Sequence, residues 1–591
     1  MSVILEERSP RRVSGAGAAL WMLRRAGVKI VFGIPGGANL PLYQTLKDFP
    51  DLRHILTRHE QGAGHAASGY AQATGALGVC LATSGPGATN LVTALMDAHM
   101  DSVPVLAITG QVDSSQLGTD AFQETDICSI VAPITKYAVE VTQAAEVATA
   151  VGEAIQQALS GRPGPVLVSI TKDALGGMCE LKPAKLPAPT PAEPPQPAPE
   201  LIAQAAERLL IAERPVLYVG GGVVKADAAT PLRELAESLN LPVVTTLMAR
   251  GTFPDSHRQH LGMPGMHGTV AAVSALQEAD LVVAAGARFD DRVTGKLDSF
   301  APHAAVIHMD IDRGELGRKR HADVALHADC HAALTALSAQ IRRSGRAHDA
   351  RQRLAAWWQR LDGWRSRYPL GYREETDILM PQYVIERLGA LTAGLRTVYT
   401  AGVGQHQMWA SQFIRHDRPR VFINSGGAGT MGYAVPAALG VQAALPDAEV
   451  WAIDGDGSFQ MTCQELATCV HSRLPIKVAV LNNASLGMVR QWQDLFYDKE
   501  FIETDLDSET MPTSPDITAL ARAYGCAVYR CEHPEDVDRA VLAASAVRDR
   551  PAVIEFVVPK SVMVWPMVPT GVSNDEIMVA RDMRPKFDED D

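Results

Sequence analysis

The sequence predicts an α/β protein made of three doubly wound parallel-sheet domains. Two observations carry this. Short β-branched runs, ended by Gly or Pro, alternate along the chain with Ala- and Leu-rich helical stretches. Buried parallel strands joined by helices read in this way. The alternation is also interrupted twice, which divides the chain into three sets of similar size. With 591 residues, 47% of them hydrophobic and 48 of them Gly, the chain can bury several close-packed cores.

The first set, residues 1–180, has strand runs at 28–32, 78–82, 103–108 and 165–170. Residues 181–200, LKPAKLPAPTPAEPPQPAPE, are too rich in Pro for helix or sheet and read as an extended linker. The second set, 201–345, has runs at 215–219, 241–246, 281–285 and 305–310. A charged helical stretch leads into a second linker, 346–374. The third set, 375–591, has runs at 396–400, 449–453, 476–481 and 552–558 and ends in a C-terminal lid. Sheets of this kind bind ligands at the carboxyl ends of their strands, so function is expected just after these runs.

Composition excludes several classes. With 54 Lys+Arg against 67 Asp+Glu, the net charge is −13, which gives no attraction to phosphate backbones and argues against a nucleic-acid partner. The eight cysteines show no C-x-x-C spacing and read as reduced, buried thiols. The N-terminal MSVILEERSPRR lacks a signal peptide's apolar stretch, and no apolar run reaches the ~18 residues of a membrane span. The expectation is a soluble, cytoplasmic protein with no membrane partner.

The most informative segment is Asp454-Gly455-Asp456-Gly457-Ser458, followed by Leu481-Asn482-Asn483. Asp456 and Asn483 are 27 residues apart, which leaves room for one helix between two parallel strands. A carboxylate and an amide oxygen at adjacent strand ends make a hard-oxygen site for Mg²⁺, which takes its other ligands from phosphate and water. Gly455 and Gly457 would let the backbone approach a diphosphate. Two ordinary Gly/Asn turns would explain either half alone, but not both at this spacing.

This pattern resembles the thiamine diphosphate signature of the decarboxylase and carboligase superfamily. The resemblance implies that Asp456, Asn483 and the Ser485 carbonyl hold the metal. It places thiamine diphosphate against Gly85, Pro86, Asn90, Val403, Gln405, His406, Gly429, Met431, Gly457, Ser458 and Met488, with Met431 as the wedge that bends the cofactor. Glu60, in Arg58-His59-Glu60-Gln61, corresponds to the glutamate that binds the aminopyrimidine ring. A zinc site of the H-E-x-x-H type fails there, because the fifth position is Ala63. Gly427-Ala428-Gly429-Thr430-Met431-Gly432 matches a dinucleotide fingerprint, but a strand and a helix of the same domain precede it.

The likeness then narrows. Gly220-Gly221-Gly222, Thr245-Thr246-Leu247-Met248, Met263-Pro264-Gly265-Met266-His267 and the run 286–296 resemble the FAD-binding domain of the acetohydroxyacid synthase family. The implied FAD contacts are Arg162, Gly221, Gly222, Thr246, Leu247, Met248, Met263, His267, Gly286, Arg288, Asp290, Arg292, Asp310, Ile311, Asp329 and Cys330. Glu60, Gln123, Lys172 and Trp492 would be the catalytic-site residues, with Trp492 shaping the pocket for the second 2-keto acid. The likeness runs end to end, with actinobacterial catalytic subunits as its nearest form.

It implies a carboligase, a transferase of two-carbon units, that decarboxylates pyruvate and joins the two-carbon unit to pyruvate or 2-ketobutyrate, on the route to valine, leucine and isoleucine. FAD takes no net electrons in that reaction. It also implies a homodimer or homotetramer and a separate small regulatory subunit, because in the family Glu and the diphosphate site come from different chains. The alternative is glyoxylate carboligase, whose pattern has an apolar residue in place of Glu60, or another FAD-containing thiamine diphosphate enzyme. One departure stands out: Asp113-Ser114-Ser115-Gln116 replaces the family's Gly or Pro followed by a basic residue.

Overall fold

A computed structural model describes residues 11–186, 189–373, 375, 377–394, 396–508, 515–581 and 583–585. In the N-terminal domain, β1 (Arg11–Ser14) precedes a parallel sheet of β2 (Ile30–Gly33), β3 (Arg53–Leu56), β4 (Gly78–Ala82), β5 (Val105–Gln111), β6 (Tyr137–Val141) and β7 (Val166–Thr171). The order is β3-β2-β4-β5-β7-β6. β8 (Met178–Leu181) then returns to pair antiparallel with β1.

The central domain holds β9 (Pro215–Val219), β10 (Val243–Thr245), β11 (His260–Gly262), β12 (Leu281–Ala285), β13 (Ala305–Asp310) and β14 (Val324–His327). The C-terminal domain holds β15 (Thr397–Ala401), β16 (Phe422–Asn424), β17 (Glu449–Gly455), β18 (Lys477–Asn482), β19 (Ala527–Cys531) and β20 (Ala552–Val557). Its order, β16-β15-β17-β18-β20-β19, repeats that of the N-terminal sheet. The central order, β11-β10-β9-β12-β13-β14, is instead that of dinucleotide-binding sheets. Helices cover both faces of each sheet, which is why β4, β5, β7, β9 and β12 are buried along their whole length.

In each sheet the first strand has its successors on opposite sides. The chain therefore reverses direction of travel at one point, between β2 and β4, β9 and β12, and β15 and β17. The crevice at the carboxyl end of such a point is where a ligand sits.

The stretch expected as a second linker is structured. Helices Ala347–Arg353 and Ala355–Arg367 cover it, and Trp357, Trp358, Leu361 and Trp364 are buried in the central core. These positions follow i, i+1, i+4, i+7 and share one helical face, with Arg360 and Arg367 on the other, while Arg365 lies at the apolar face and donates to the Arg258 and His260 carbonyls. The domain's core thus runs past residue 345.

The outer domains pack directly on each other. Helix Glu60–Thr74 starts at His59, whose Nδ1 accepts from the Gln61 N–H at 3.1 Å, and ends at Gly75 with φ +75. Its small residues let helix Ala434–Ala444 approach closely. A Cβ on Gly440 would lie 1.9 Å from the Ala66 carbonyl oxygen, and one on Gly69 would lie 2.3 Å from that of Ala437. The two domains share one core there.

Candidate active site

At the crevice between β15 and β17 lies a cleft with a cavity volume of about 80 Å³. Val403, Gln405 and His406 enter it after β15, and Asp456, Gly457 and Ser458 after β17. Asn483, Ser485 and Met488 follow β18, and Met431 closes one side. Residues expected from the sequence to hold the diphosphate and the metal therefore converge on one place. Gly429 stands two residues before Met431, exposed, at φ +70.

Asp456 opens a short helix, Asp456–Gln460, and is buried. Neither of its carboxylate oxygens has a hydrogen-bond partner. Burial pushes this carboxyl up to about 7. A buried carboxylate without partners is costly unless a cation compensates it. Asn483 Oδ1 accepts from the Ser485 N–H at 3.0 Å, and Ala484 between them takes φ +51. Asn483 and Ser485 are thus fixed in one tight turn beside Asp456. A carboxylate, an amide oxygen and a carbonyl suit Mg²⁺. Ser458 Oγ accepts from the Gly432 N–H at 2.9 Å and ties the Met431 loop to the same strand end.

Gly455, which lines the cleft, also makes room for a side chain. A Cβ there would lie 2.9 Å from His406 Nδ1, so the glycine makes room for the imidazole. His406 is buried, and its pKa is lowered to about 3, leaving the ring neutral. Its Nε2 lies 3.5 Å from Asp454 Oδ1. Asp454, which heads the same motif, is fully buried, and neither of its oxygens makes a hydrogen bond.

Glu60 begins its helix after β3 and is 9% exposed. Its Oε2 accepts from Asn90 Nδ2 at 2.9 Å. Gly85, at φ +59, runs so close to Gln123 that a Cβ would come within 2.9 Å of Gln123 Cβ. Pro86 starts the short helix Pro86–Thr89 beside them. Glu60, Gly85, Asn90 and Gln123 therefore form a second group, at the carboxyl edge of the N-terminal sheet. Lys172 is exposed at the start of helix Lys172–Gly176, apart from this group's contacts. The residues lining the cleft all come from the C-terminal domain, so Glu60 does not reach it within the chain. A residue missed in the sequence, buried Glu465, accepts from the Arg58 and His59 N–H groups at 3.1 and 3.0 Å and fixes the loop before Glu60.

Trp492 lies on helix Gly487–Phe496, one turn beyond Met488. The Arg292 guanidinium stands 5.7 Å from its ring centroid, and Arg292 Nη1 donates to Thr570 Oγ1 at 3.2 Å. Arg292, expected against FAD, is thus also a partner of the expected acceptor-pocket residue.

The central crevice carries the remaining expected residues. Gly220 and Gly222 abut Gly286 so closely that Cβ atoms would lie 2.2 Å from its carbonyl oxygen and 2.7 Å from its Cα. These glycines close the β9 and β12 ends on each other. Gly221 faces Met248, in the turn that follows Thr246 and Leu247. Arg288 pairs with Asp290 at 3.2 Å. Asp310, before Ile311, ends β13 buried, and its carboxyl is raised to about 6 by burial. Asp329 caps helix Cys330–Ser344, and the Cys330 thiol is buried. Met263 lies 3.2 Å from Ser411 Oγ. His267 Nδ1 meets the Pro566 carbonyl at 3.1 Å, while its buried Nε2 has no partner. Arg162 reaches in from the first domain, pairing with Glu315 at 3.2 Å. The strand order, the glycine contacts and the unpartnered His267 nitrogen fit a bound dinucleotide.

Comparison with known proteins matches this architecture. Models of the thiamine pyrophosphate enzyme N-terminal TPP binding domain, central domain and C-terminal TPP binding domain match residues 13–130, 202–337 and 402–556. An acetolactate synthase of Mycobacterium bovis is 56% identical over 98% of this chain and 93% of its own length. The chain belongs to the acetolactate synthase family. The acetolactate synthase large subunit of Corynebacterium glutamicum is 51% identical over 99% of this chain and 93% of its own length. That of Escherichia coli isozyme 2 is 44% identical over 96% and 99%.

The Asp113-Ser114-Ser115 segment has a local structural role. Ser114 forms a short helical turn with Ser115 and Gln116. Its N–H and Oγ donate to Asp173 at 3.0 and 2.5 Å, which ties this loop to the helix that begins at Lys172. Among the described residues, no helix is long and apolar enough to cross a membrane.

Proposed function

We propose that the chain is the catalytic large subunit of an acetolactate synthase. It decarboxylates pyruvate and transfers the two-carbon unit to a second pyruvate or to 2-ketobutyrate. The products, acetolactate and acetohydroxybutyrate, feed branched-chain amino-acid synthesis in the cytoplasm. The observation that carries this reading is the unpartnered Asp456 carboxylate beside the Asn483–Ser485 turn, in a cleft closed by Met431.

Thiamine diphosphate, when bound, supplies the electron sink that lets the carboxyl group leave. Asp456, Asn483 and the Ser485 carbonyl would hold Mg²⁺ for its diphosphate, and neutral His406 and Gln405 would meet the phosphates from the carboxyl end of the neighbouring strand β15. Met431 shapes the cleft and excludes water. Glu60, oriented by Asn90, would bind the aminopyrimidine ring nitrogen and share a proton with it through its carboxyl oxygen. Trp492 and Arg292 line the approach of the acceptor 2-keto acid. The central crevice, with Gly220 and Gly222 against Gly286 and His267 Nε2 unpartnered, would hold FAD, whose redox chemistry the overall reaction does not call on.

Glu60 stands outside the cleft of its own chain, which supports a homodimer whose partner supplies this carboxyl; a homotetramer would pair chains in the same way. A separate small regulatory subunit is part of the proposal. The intact Glu60 disfavours glyoxylate carboligase. Calorimetry tests the reading: thiamine diphosphate with Mg²⁺ binds the wild type. Asp456→Ala weakens binding at least about 100-fold, the upper end of what losing even an outer-shell partner costs a metal site. Unchanged affinity in Asp456→Ala contradicts the metal assignment.

A further inference from the structure

The turn that delivers Met431 has little means of holding its own shape. Three of the six residues from Ser425 to Thr430 are glycine. Its own side chains supply one hydrogen bond, from the Thr430 N–H to Ser425 Oγ at 2.9 Å. Glycine backbone loses the most entropy on being fixed, so an external grip is needed.

That grip comes from the N-terminal domain. Asp97 lies in helix Val92–Met100 and Asp101 caps it, four residues on and on the same face. Both are buried. Asp97 Oδ1 accepts from Ser425 Oγ, and from Thr430 Oγ1 at 2.8 Å. Asp101 accepts from the Gly426 and Gly427 N–H groups at 2.9 and 2.8 Å. On the other side, a Cβ on Gly426 would lie 2.4 Å from Met248 Sδ of the central domain. The turn is therefore clamped where all three domains meet, and Met431 is the next residue.

We propose that Asp97 and Asp101 are positioning residues for the cofactor cleft, setting where Met431 stands by clamping the Ser425–Thr430 turn. This rests on the function proposed above. Neither carboxyl lines the cleft, so both act through the turn. Burial, and then the charge of Asp101, raises Asp97 to about 7. Lys225 and Arg288 face Asp101 from the central domain, and Tyr433 faces Asp97. Burial raises both carboxyls of the pair. Asp97→Asn removes the charge and keeps an acceptor for the two hydroxyls.

The test compares Asp97→Ala, Asp97→Asn and wild type, each assembled with thiamine diphosphate, Mg²⁺ and FAD. Cofactor affinity is read by calorimetry, kcat and KM by steady-state assay, and cofactor environment by near-ultraviolet circular dichroism. Displacing Met431 by a fraction of an ångström to 1 Å lowers kcat by up to about 100-fold in Asp97→Ala. The KM for pyruvate stays within about threefold, the pattern of an interaction that acts on the chemical step. The dichroism of the bound cofactor changes, and Asp97→Asn restores kcat to within about threefold of wild type, because its acceptor is retained.

Should Asp97→Ala fail to fold, Ser425→Ala with Thr430→Val removes only the hydroxyl donors and lowers kcat by about tenfold. Wild-type kcat and dichroism in Asp97→Ala, or in the Ser425/Thr430 pair, overturn the positioning role. So does a loss in Asp97→Asn equal to that in a folded Asp97→Ala. A wild type that binds no thiamine diphosphate overturns the underlying function instead, and the clamp's role with it.

Discussion

Glu60, the proposed proton carrier, lies outside the cleft of its own chain. Its carboxyl is buried, oriented by Asn90, and its loop is pinned by Glu465. Glu60→Gln keeps an acceptor for Asn90 but cannot carry the proton. Turnover should fall about 10²–10⁴-fold with the fold and flavin binding unchanged, measured by steady-state assay beside thermal unfolding. Trp492→Leu acts on the second substrate. The indole, with Arg292 above it, is a large flat wall. One methylene in an apolar pocket is worth about 1–3 kcal/mol, so a competition assay should show lost preference for 2-ketobutyrate with acetolactate still formed. An unchanged product ratio would make Trp492 a packing residue only. The convergence of Asp456 and Asn483 on one cleft was legible in the sequence because their motifs follow strand runs directly, whereas Met431 came only from the family resemblance. Glu465, Asp97 and Asp101 carried no such signal. Each is a buried acid whose meaning lies in partners distant along the chain, such as Ser425, 328 residues from Asp97.

Among elements, legibility follows burial. The strand runs found in the sequence are the four inner strands of each six-stranded sheet. β3, β6, β11, β14, β16 and β19, found only in the structure, are the sheet edges. Inner strands are covered on both faces and read as continuous apolar runs. The edges β3, β6, β14 and β19 expose alternate or successive residues and carry polar ones. The helix pair Glu60–Thr74 and Ala434–Ala444 depends on small residues in the same way. Gly440→Ala forces a methyl to 1.9 Å from the Ala66 carbonyl oxygen and should destabilise by about 1–3 kcal/mol. Gly363, inside helix Ala355–Arg367, has open space at its Cβ position. Gly363→Ala should stabilise by roughly 0.5–1 kcal/mol. Thermal unfolding midpoints moving in opposite directions would bear out the packing argument, and equal shifts would refute it.

At the scale of the molecule, two domains with one strand order flank a third with the dinucleotide order, and each has its crevice at the point of chain reversal. The C-terminal crevice holds the expected metal and diphosphate residues, the N-terminal one holds Glu60, and the central one carries the expected flavin contacts. Domain number and class were legible from the alternation of runs. The packing of Trp357, Trp358 and Trp364 onto the central core was not, because the Arg residues of the same helix masked its apolar face. The central claim is that these crevices together make acetolactate from pyruvate without redox change. It is tested most directly by product analysis of the holoprotein under argon, with thiamine diphosphate, Mg²⁺ and FAD present and pyruvate as the only substrate. The account predicts acetolactate and CO₂ in equal amounts, with the flavin absorbance remaining that of the oxidised form. Pyruvate loss without acetolactate, or with bleaching of the flavin in proportion to pyruvate consumed, would contradict it.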